Sequence, residues 1–388
     1  MKILHTGDWH LGKIVNQVYM TEDQGYILEQ LCRIIDEDRP DVLVISGDIY
    51  DRAVPPVEAV ELLDRVLNQI LLIKKVPVIA IAGNHDSADR LAFGSRLLEK
   101  NGLYIEGKLS QDIKKVVLED EFGPVNFYLL PYAEPMEVKH IFQAEDVHNH
   151  NDAFRVIVDK IKEGANNSER NVIIGHGYIR GLSDLEESES ERPLTIGGTE
   201  YVDAEMFRGF EYTALGHLHG AQKVSGNNMR YAGSLLKYSF SEVKQNKSAA
   251  LICLGEKGKD PEVVLRPLVP KREMRIIKGK LSDIIAAAAE EGTASEDYIK
   301  AILTDEGELM DPIAKLRQVY PNVLELVREG RDMAAGASKT SAGAGYKTKT
   351  KLELFKDFYE SISGTEFTSE KEQVVADVIK QVDKEEGC

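Results

Sequence analysis

Five short clusters in the first 220 residues concentrate side chains that bind metals or move protons. They are "GDWH" (Asp8, His10), "GDIYD" (Asp48, Asp51), "GNHD" (Asn84, His85, Asp86), "GHG" (His176) and "GHLH" (His217, His219). Five of the nine histidines fall in these clusters, and each cluster opens on a glycine. Taken singly, a Gly-Asp or an Asp-x-His at a strand end is more often a polar turn than a ligand. Taken together, Asp8, His10, Asp48, Asn84, His176, His217 and His219 supply the mixed oxygen and nitrogen donors that two metals sharing a bridging carboxylate require. No cysteine or methionine belongs to the set, which excludes a thiolate site. Imidazole with carboxylate suits Mn, Fe or Zn rather than Mg or Ca. Within "GNHD" the spacing alone leaves open whether all three polar residues bind metal, or one binds while another does the chemistry.

Such clusters need a scaffold that delivers them to one place. "KILHTG", "DVLVIS" and "VPVIAIA" read as strands. "TEDQGYILEQLCRIIDEDR", with Thr21 as a candidate N-cap, and "PVEAVELLDRVLNQILLI" read as helices, and "DRLAFGSRLLEKNG" as a helix closed by Gly102. Alternation of this kind predicts α/β layering around a largely parallel sheet. The later runs "KKVVLE", "VNFYLLP", "NVIIGHG", "YTALGHLHG", "MRYAGS" and "SAALICLG" predict a second, more mixed sheet. In open α/β sheets, sites form at the carboxyl ends of strands, which is where all five clusters sit.

The remaining histidines carry bland expectations. His5, inside the first strand, is expected as a packed core histidine, and His148 and His150, in "VKHIFQAEDVHNHND", as part of a solvated loop. Asp86 is expected to cap the helix that follows it.

The 388 residues allow two or more domains, and 29% charged against 43% hydrophobic is an ordinary globular balance. A net charge of -17 argues mildly against nucleic acid, although metals in an acidic cluster attract phosphate by themselves. Cys32, Cys253 and Cys388 form no framework, which points to a reducing cytoplasm. "MKILHTGDWH" becomes polar too early for a signal peptide, and no apolar run reaches the roughly 18 residues of a membrane span. After Gly258 the texture changes. The domain that carries the five clusters is therefore placed at 1–258 and a small α+β domain at 262–330, opening on the basic stretch Lys271, Arg272, Arg275, Lys278 and Lys280. Such a cap could hold duplex backbone over the metals. A Gly/Ala/Ser/Thr/Lys linker follows at 331–350, then two amphipathic helices at 351–388, suited to docking on a partner. No G-x-x-x-x-G-K-[ST] occurs, so any ATP dependence comes from a partner.

The order D-x-H, GD-x-x-D, GNHD, GH, GH-x-H resembles the calcineurin-like metallophosphoesterases over about residues 1–255. That resemblance implies a four-layer αββα sandwich with two metals. It implies that Asp8, His10 and His219 hold one metal, that Asn84, His176 and His217 hold the other, and that Asp48 bridges. His85 is left as the acid for the leaving alkoxide, with Asp51 as its partner, as an Asp at this spacing is in the phosphoprotein phosphatase branch. The surroundings "MKILHTGDWHLGK", "YVDAEMFRGFEYTALGHLHGAQ", "RYAGSLLKYSFSE" and "DPIAKLRQVYPNVLEL" are similar to the SbcD family, nuclease subunits of bacterial SbcCD complexes, across nearly the whole chain. This implies Mn-dependent DNA cleavage: 3′–5′ exonuclease action on duplex ends and endonuclease action on hairpins and single strands. It also implies an SbcC ATPase bound through the tail helices and a homodimer within a heterotetramer, in the cytoplasm at the nucleoid. The alternative is a stand-alone phosphomonoesterase or cyclic-nucleotide phosphodiesterase.

Overall fold

The computed structural model describes residues 1–182, 184–191, 201–291, 296–329, 350–363 and 367–385. Two compact units divide the chain, Met1–Glu273 and Met274–Cys388.

The first unit begins as β1 (Lys2–Thr6), α1 (Thr21–Asp38), β2 (Val42–Ile45), α2 (Val57–Asn68), β3 (Val78–Ile81) and β4 (Leu103–Glu106). These four strands are parallel neighbours, joined through helical crossovers as parallel pairing demands. Thr21 opens α1 but is not its cap: Met20 occupies that position and makes no side-chain cap bond. The expected single helix at 89–102 is broken, because Gly94 at φ +74° splits it into short pieces, while Gly102 ends it in the left-handed conformation as expected.

A second sheet follows: β5 (Lys115–Asp120), β6 (Gly123–Leu130), α3 (Pro135–Phe142), α4 (His150–Gly164), β7 (Arg170–His176), β8 (Tyr212–Gly216), β9 (Gln222–Ser225) and β10 (Met229–Tyr231). Its strand order is β9-β10-β8-β7-β6-β5, parallel through its four central strands and antiparallel at both edges. The chain then returns to the first sheet with β11 (Ser248–Cys253) and β12 (Glu262–Pro267), giving β12-β11-β1-β2-β3-β4. Alternate residues of both sheets, including Ile3, Val44, Ile81, Phe127, Ile174 and Ala214, share one buried cluster. The opposite face of the second sheet, with Ile173 and Leu215, packs with Phe154, Ile157 and Ile161 of α4. Sheets sharing a core, with helices outside, are the layered α/β sandwich the sequence predicted.

The division between units falls later than the composition suggested. Residues 262–267 were expected to open the second domain, but they pair along their whole length with β11, Cys253 to Glu262 and Ser248 to Pro267. The second unit therefore starts with β13 (Met274–Gly279), α5 (Leu281–Glu291), β14 (Tyr298–Leu303), α6 (Pro312–Arg317) and β15 (Val323–Arg328). Its three strands are parallel and share a small core with Leu281, Ile284, Leu316 and Tyr320. The expected linker at 331–350 lies outside the described residues except for Thr350. The tail forms α7 (Lys351–Ser363) and α8 (Ser369–Glu385). Phe367, between them, is buried against the rings of Phe355 and Tyr359. Leu354, Phe355, Phe358, Val374 and Val378 stay exposed.

Candidate metal centre

The five clusters follow the carboxyl ends of β1, β2, β3, β7 and β8, three strands of one sheet and two of the other. Because both sets run parallel, all five ends face the same rim. Asp8 and Asp48 continue the pairing of their strands: the Asp8 amide donates to Gly47 O at 3.0 Å and the His10 amide to Asp48 O at 2.9 Å. Room for the side chains is made by missing ones. A Cβ at Gly47 would stand 2.4 Å from His176 Nδ1, and one at Gly83 would stand 2.2 Å from Asp48 Oδ1. Four of the seven expected ligands, Asp8, His10, Asp48 and His217, have left-handed backbone, with φ of 52°, 47°, 50° and 111°. Strain of this kind persists where surrounding structure holds it for function.

The seven expected ligands come together. His10 Nε2 faces His219 Nε2 at 3.0 Å and Asp48 Oδ2 at 3.7 Å. His176 Nε2 faces Asn84 Oδ1 at 2.9 Å and Asp48 Oδ2 at 3.4 Å. His217 Nδ1 lies 3.3 Å from the same Asn84 oxygen, and the His217 amide donates to the Asp8 carboxylate at 2.9 Å. Asp8 with His10 and His219, and Asp8 with Asp48 and His176, are each close enough to share an ion.

The donor set fits cations on physical grounds. His176 Nδ1 donates to Ser46 O at 2.9 Å, so the neutral ring aims the lone pair of Nε2 at two oxygen acceptors. His219 donates its Nδ1 proton to oxygen, so its Nε2 lone pair points at His10. His10 Nδ1 is buried with no hydrogen-bond partner. At His176, acceptors converging on acceptors require positive charge between them, whereas a neutral His10 can donate its Nε2 proton to His219 across their 3.0 Å contact. Without metal a proton serves: burial lowers His176, but the Asp48 carboxylate outweighs it and raises the ring to about 9. Burial keeps His10 and His219 below the usual histidine range, and burial with the neighbouring His176 brings His217 to about 3. Neutral imidazole is the form that binds metal. Burial, reinforced by Asp48, pushes Asp8 up. Asp48 itself is held down, because His176 and His10 outweigh its burial.

His85 lies at the same rim, its ring centroid 4.7 Å from that of His10. Its amide donates to Asp48 Oδ1 at 2.9 Å. The expected contact with Asp51 is present but made by a different atom. His85 Nδ1 donates to the main-chain oxygen of Asp51 at 2.8 Å. The Asp51 carboxylate turns instead to Lys13 Nζ at 2.7 Å and stands 3.6 Å from His10 Nδ1. Asp86 is structural, though not as a helix cap: its carboxylate accepts from the amides of Ile49, Tyr50 and Gly83, fixing the loops that carry Asp48 and Asn84.

Other expectations divide. His5 is a core histidine, fully buried between Tyr212 Oη at 2.8 Å and Ser46 Oγ at 3.1 Å, and burial lowers it to about 3. His150 is not in a solvated loop: it is buried, opens α4 and lies against the ring of Tyr132. The basic stretch is matched by acid. Lys271 pairs with Glu22, Arg272 with Glu22 and Asp23, Arg275 with Asp297 and Lys278 with Glu329. Sequence reasoning missed a group behind His219, comprising the half-buried Ser190 and Glu191 and the buried Glu242 and Lys247. No spacing marks it, since its members come from separate segments.

Comparison with known proteins identifies the family. The family described as calcineurin-like phosphoesterase matches residues 1–221, and the one described as type 5 capsule protein repressor C-terminal domain matches residues 270–362. The SbcD subunit of the SbcCD nuclease of Staphylococcus epidermidis is 35% identical over 382 residues, covering 98% of each chain. Its counterpart of the same name from Staphylococcus saprophyticus is 35% identical over 383 residues, again covering 98% of each. A solved dimetal phosphatase from Danio rerio is similar at 14% identity over 69% of this chain and 96% of that one, with a TM-score of 0.41. A match over more than half of the chain, and 35% identity over nearly all of it, mean that the chain belongs to the calcineurin-like phosphoesterases and, within them, to the SbcD family.

Proposed function

We propose that this protein is the nuclease subunit of an SbcCD-type complex, cleaving phosphodiester bonds of DNA with two divalent ions, most simply Mn. The observation that carries the proposal is the convergence of seven oxygen and nitrogen donors from five strand ends, in a chain alike over its full length to nuclease subunits. Asp8, His10 and His219 are assigned to one ion, Asn84, His176 and His217 to the other, and Asp48 to both. The bound ions supply Lewis-acid polarisation of the phosphodiester and acidify the attacking water.

The residues of the chain do the rest. Ser46 O fixes the tautomer of His176, and oxygen acceptors at Nδ1 fix that of His219. Asp51 O holds the Nδ1 proton of His85, so Nε2 is the ring atom left to carry a second proton. A doubly protonated His85 passes that proton to the departing alkoxide oxygen. Lys271 and Lys278, the more exposed of the four basic residues, are proposed to exchange their carboxylates for DNA phosphates.

Substrates are proposed to be duplex ends, cut in the 3′–5′ direction, and hairpins and single strands, cut internally. The partner is an SbcC-type ATPase seated on the exposed apolar residues of α7 and α8. Exposed Phe93 and Leu97 supply apolar surface for a second copy of the chain. No helix among the described residues is long and apolar enough to cross a membrane, and a cytoplasmic, nucleoid-associated location is part of the proposal. The test is cleavage of hairpin DNA with Mn²⁺, with and without SbcC, beside His85→Ala. Hydrolysis of nitrophenyl phosphate with DNA left intact under both conditions would instead favour the stand-alone phosphatase.

A further inference from the structure

Behind His219, away from its Nε2, lies a polar group that no ligand assignment uses. Glu242 is fully buried, and Lys247 is nearly so. Lys247 Nζ donates to Glu242 Oε2 at 2.6 Å, Gln245 Oε1 at 2.7 Å, Ser234 Oγ at 2.8 Å and His219 O at 2.9 Å. The ammonium is thereby fully satisfied, and one carboxylate oxygen of Glu242 is fixed. The other, Oε1, faces His219 Nδ1 at 3.2 Å and receives the hydroxyl protons of Ser188, at 3.3 Å, and Ser190. Ser190 Oγ also stands 2.6 Å from His219 Nδ1. The single Nδ1 proton of His219 lies within reach of both Ser190 Oγ and Glu242 Oε1, and the Ser190 hydroxyl donates onward to Glu242. The main chain of His219 is held from the same segment, since its amide donates to Glu191 Oε1 at 2.7 Å.

We infer that Glu242, anchored by Lys247 and reaching His219 both directly and through Ser190, is the positioning residue for His219, and that it tunes one metal subsite of the pair without touching the other. The inference rests on the dimetal reading of the site. A buried carboxylate aimed at the far nitrogen of a ligand imidazole fixes its tautomer and orientation and raises its basicity. His176 gets its orientation from a neutral carbonyl, Ser46 O, so the two subsites are built unequally. The subsite of Asp8, His10 and His219 has a charge behind it.

The test needs no DNA. Metal-free full-length protein is titrated with Mn²⁺ alone, and bound metal is counted against free metal. Wild type should bind two equivalents. Glu242→Gln should weaken one of them by roughly 10–100-fold and leave the other unchanged, with occupancy restored at high Mn²⁺. Ser190→Ala keeps the direct contact to Glu242 and should lose much less. Should Glu242→Gln fail to fold with Lys247 left uncompensated, Glu242→Gln/Lys247→Met removes both charges and should show the same selective loss. Two equivalents of unchanged affinity in the folded variant would overturn the inference, as would equal weakening of both. Wild type binding fewer than two ions would overturn the dimetal reading itself, and the inference with it.

Discussion

His85 and Asn84 are adjacent, and we propose that their work is divided by which atoms are occupied. Asn84 turns its amide oxygen to both His176 and His217, within 2.9 and 3.3 Å. His85 spends its Nδ1 on a main-chain oxygen and lies against the ring of His10. His85→Ala is therefore expected to keep two bound metals and lose about 10²–10⁴-fold in cleavage rate. Asn84→Ala should release one metal at micromolar Mn²⁺. Metal counting beside a hairpin assay checks both, and a metal lost from His85→Ala would show that the division is wrong. The same contact makes a second prediction. Asp51 orients His85 by its main chain, so Asp51→Asn should leave the His85 contact in place and act through Lys13 and His10 instead. Its cleavage loss should be clearly smaller than that of His85→Ala. The convergence of the five clusters was legible in the sequence, because each opens on a glycine at a strand end. Which atom of Asp51 meets His85 was not, because spacing gives proximity and not orientation. Glu242 and Lys247 were invisible for a related reason: they reach His219 from 23 and 28 residues away with no motif around them.

At the scale of elements, strand direction organises the first unit. Parallel strands put every ligand cluster at one end, and the opposite end carries a different device. Arg170, at the start of β7, donates to Asp120 at the end of β5, to Gly123 O at 2.6 Å and to Gly255 O at 3.1 Å beyond β11. The Met1 ammonium, before β1, meets Asp120 at 2.5 Å. One carboxylate thus fastens strands of both sheets. Burial works against its ionisation, but Arg170 and the Met1 ammonium outweigh it and hold Asp120 well below the usual carboxylate range. A depressed folded value means stability that is full above the unfolded pKa of about 4 and lost as pH falls through the folded value. Asp120→Asn should lower stability at pH 7 by roughly 2 kcal/mol. It should also leave a shallower acid limb in a melting series from pH 7 to pH 3. An unchanged acid limb would show that the fastening does not couple to pH. Strand–helix alternation made these elements readable in advance. The partners of the basic stretch were not readable, because Asp23 and Glu22 stand 249 and 250 residues from Arg272 and meet it only once the chain has folded.

Across the whole molecule, catalysis and assembly are proposed to reside in separate units, the site in the first and the partner-binding helices at the end of the second. A chain ending at residue 350 is expected to retain Mn²⁺ binding and lose SbcC in a pull-down. Loss of both would mean that the tail supports the fold of the rest. The net charge of -17 is compatible with this plan, because bound metals would supply the attraction for phosphate that the surface average does not. The left-handed backbone at Asp8, His10, Asp48 and His217 has a consequence for anyone redesigning the protein. Gly would suit those four angles better than the residues that occupy them. A procedure asked only to strengthen this fold would replace these four first, and would return a sturdier sandwich with four of its seven metal donors gone.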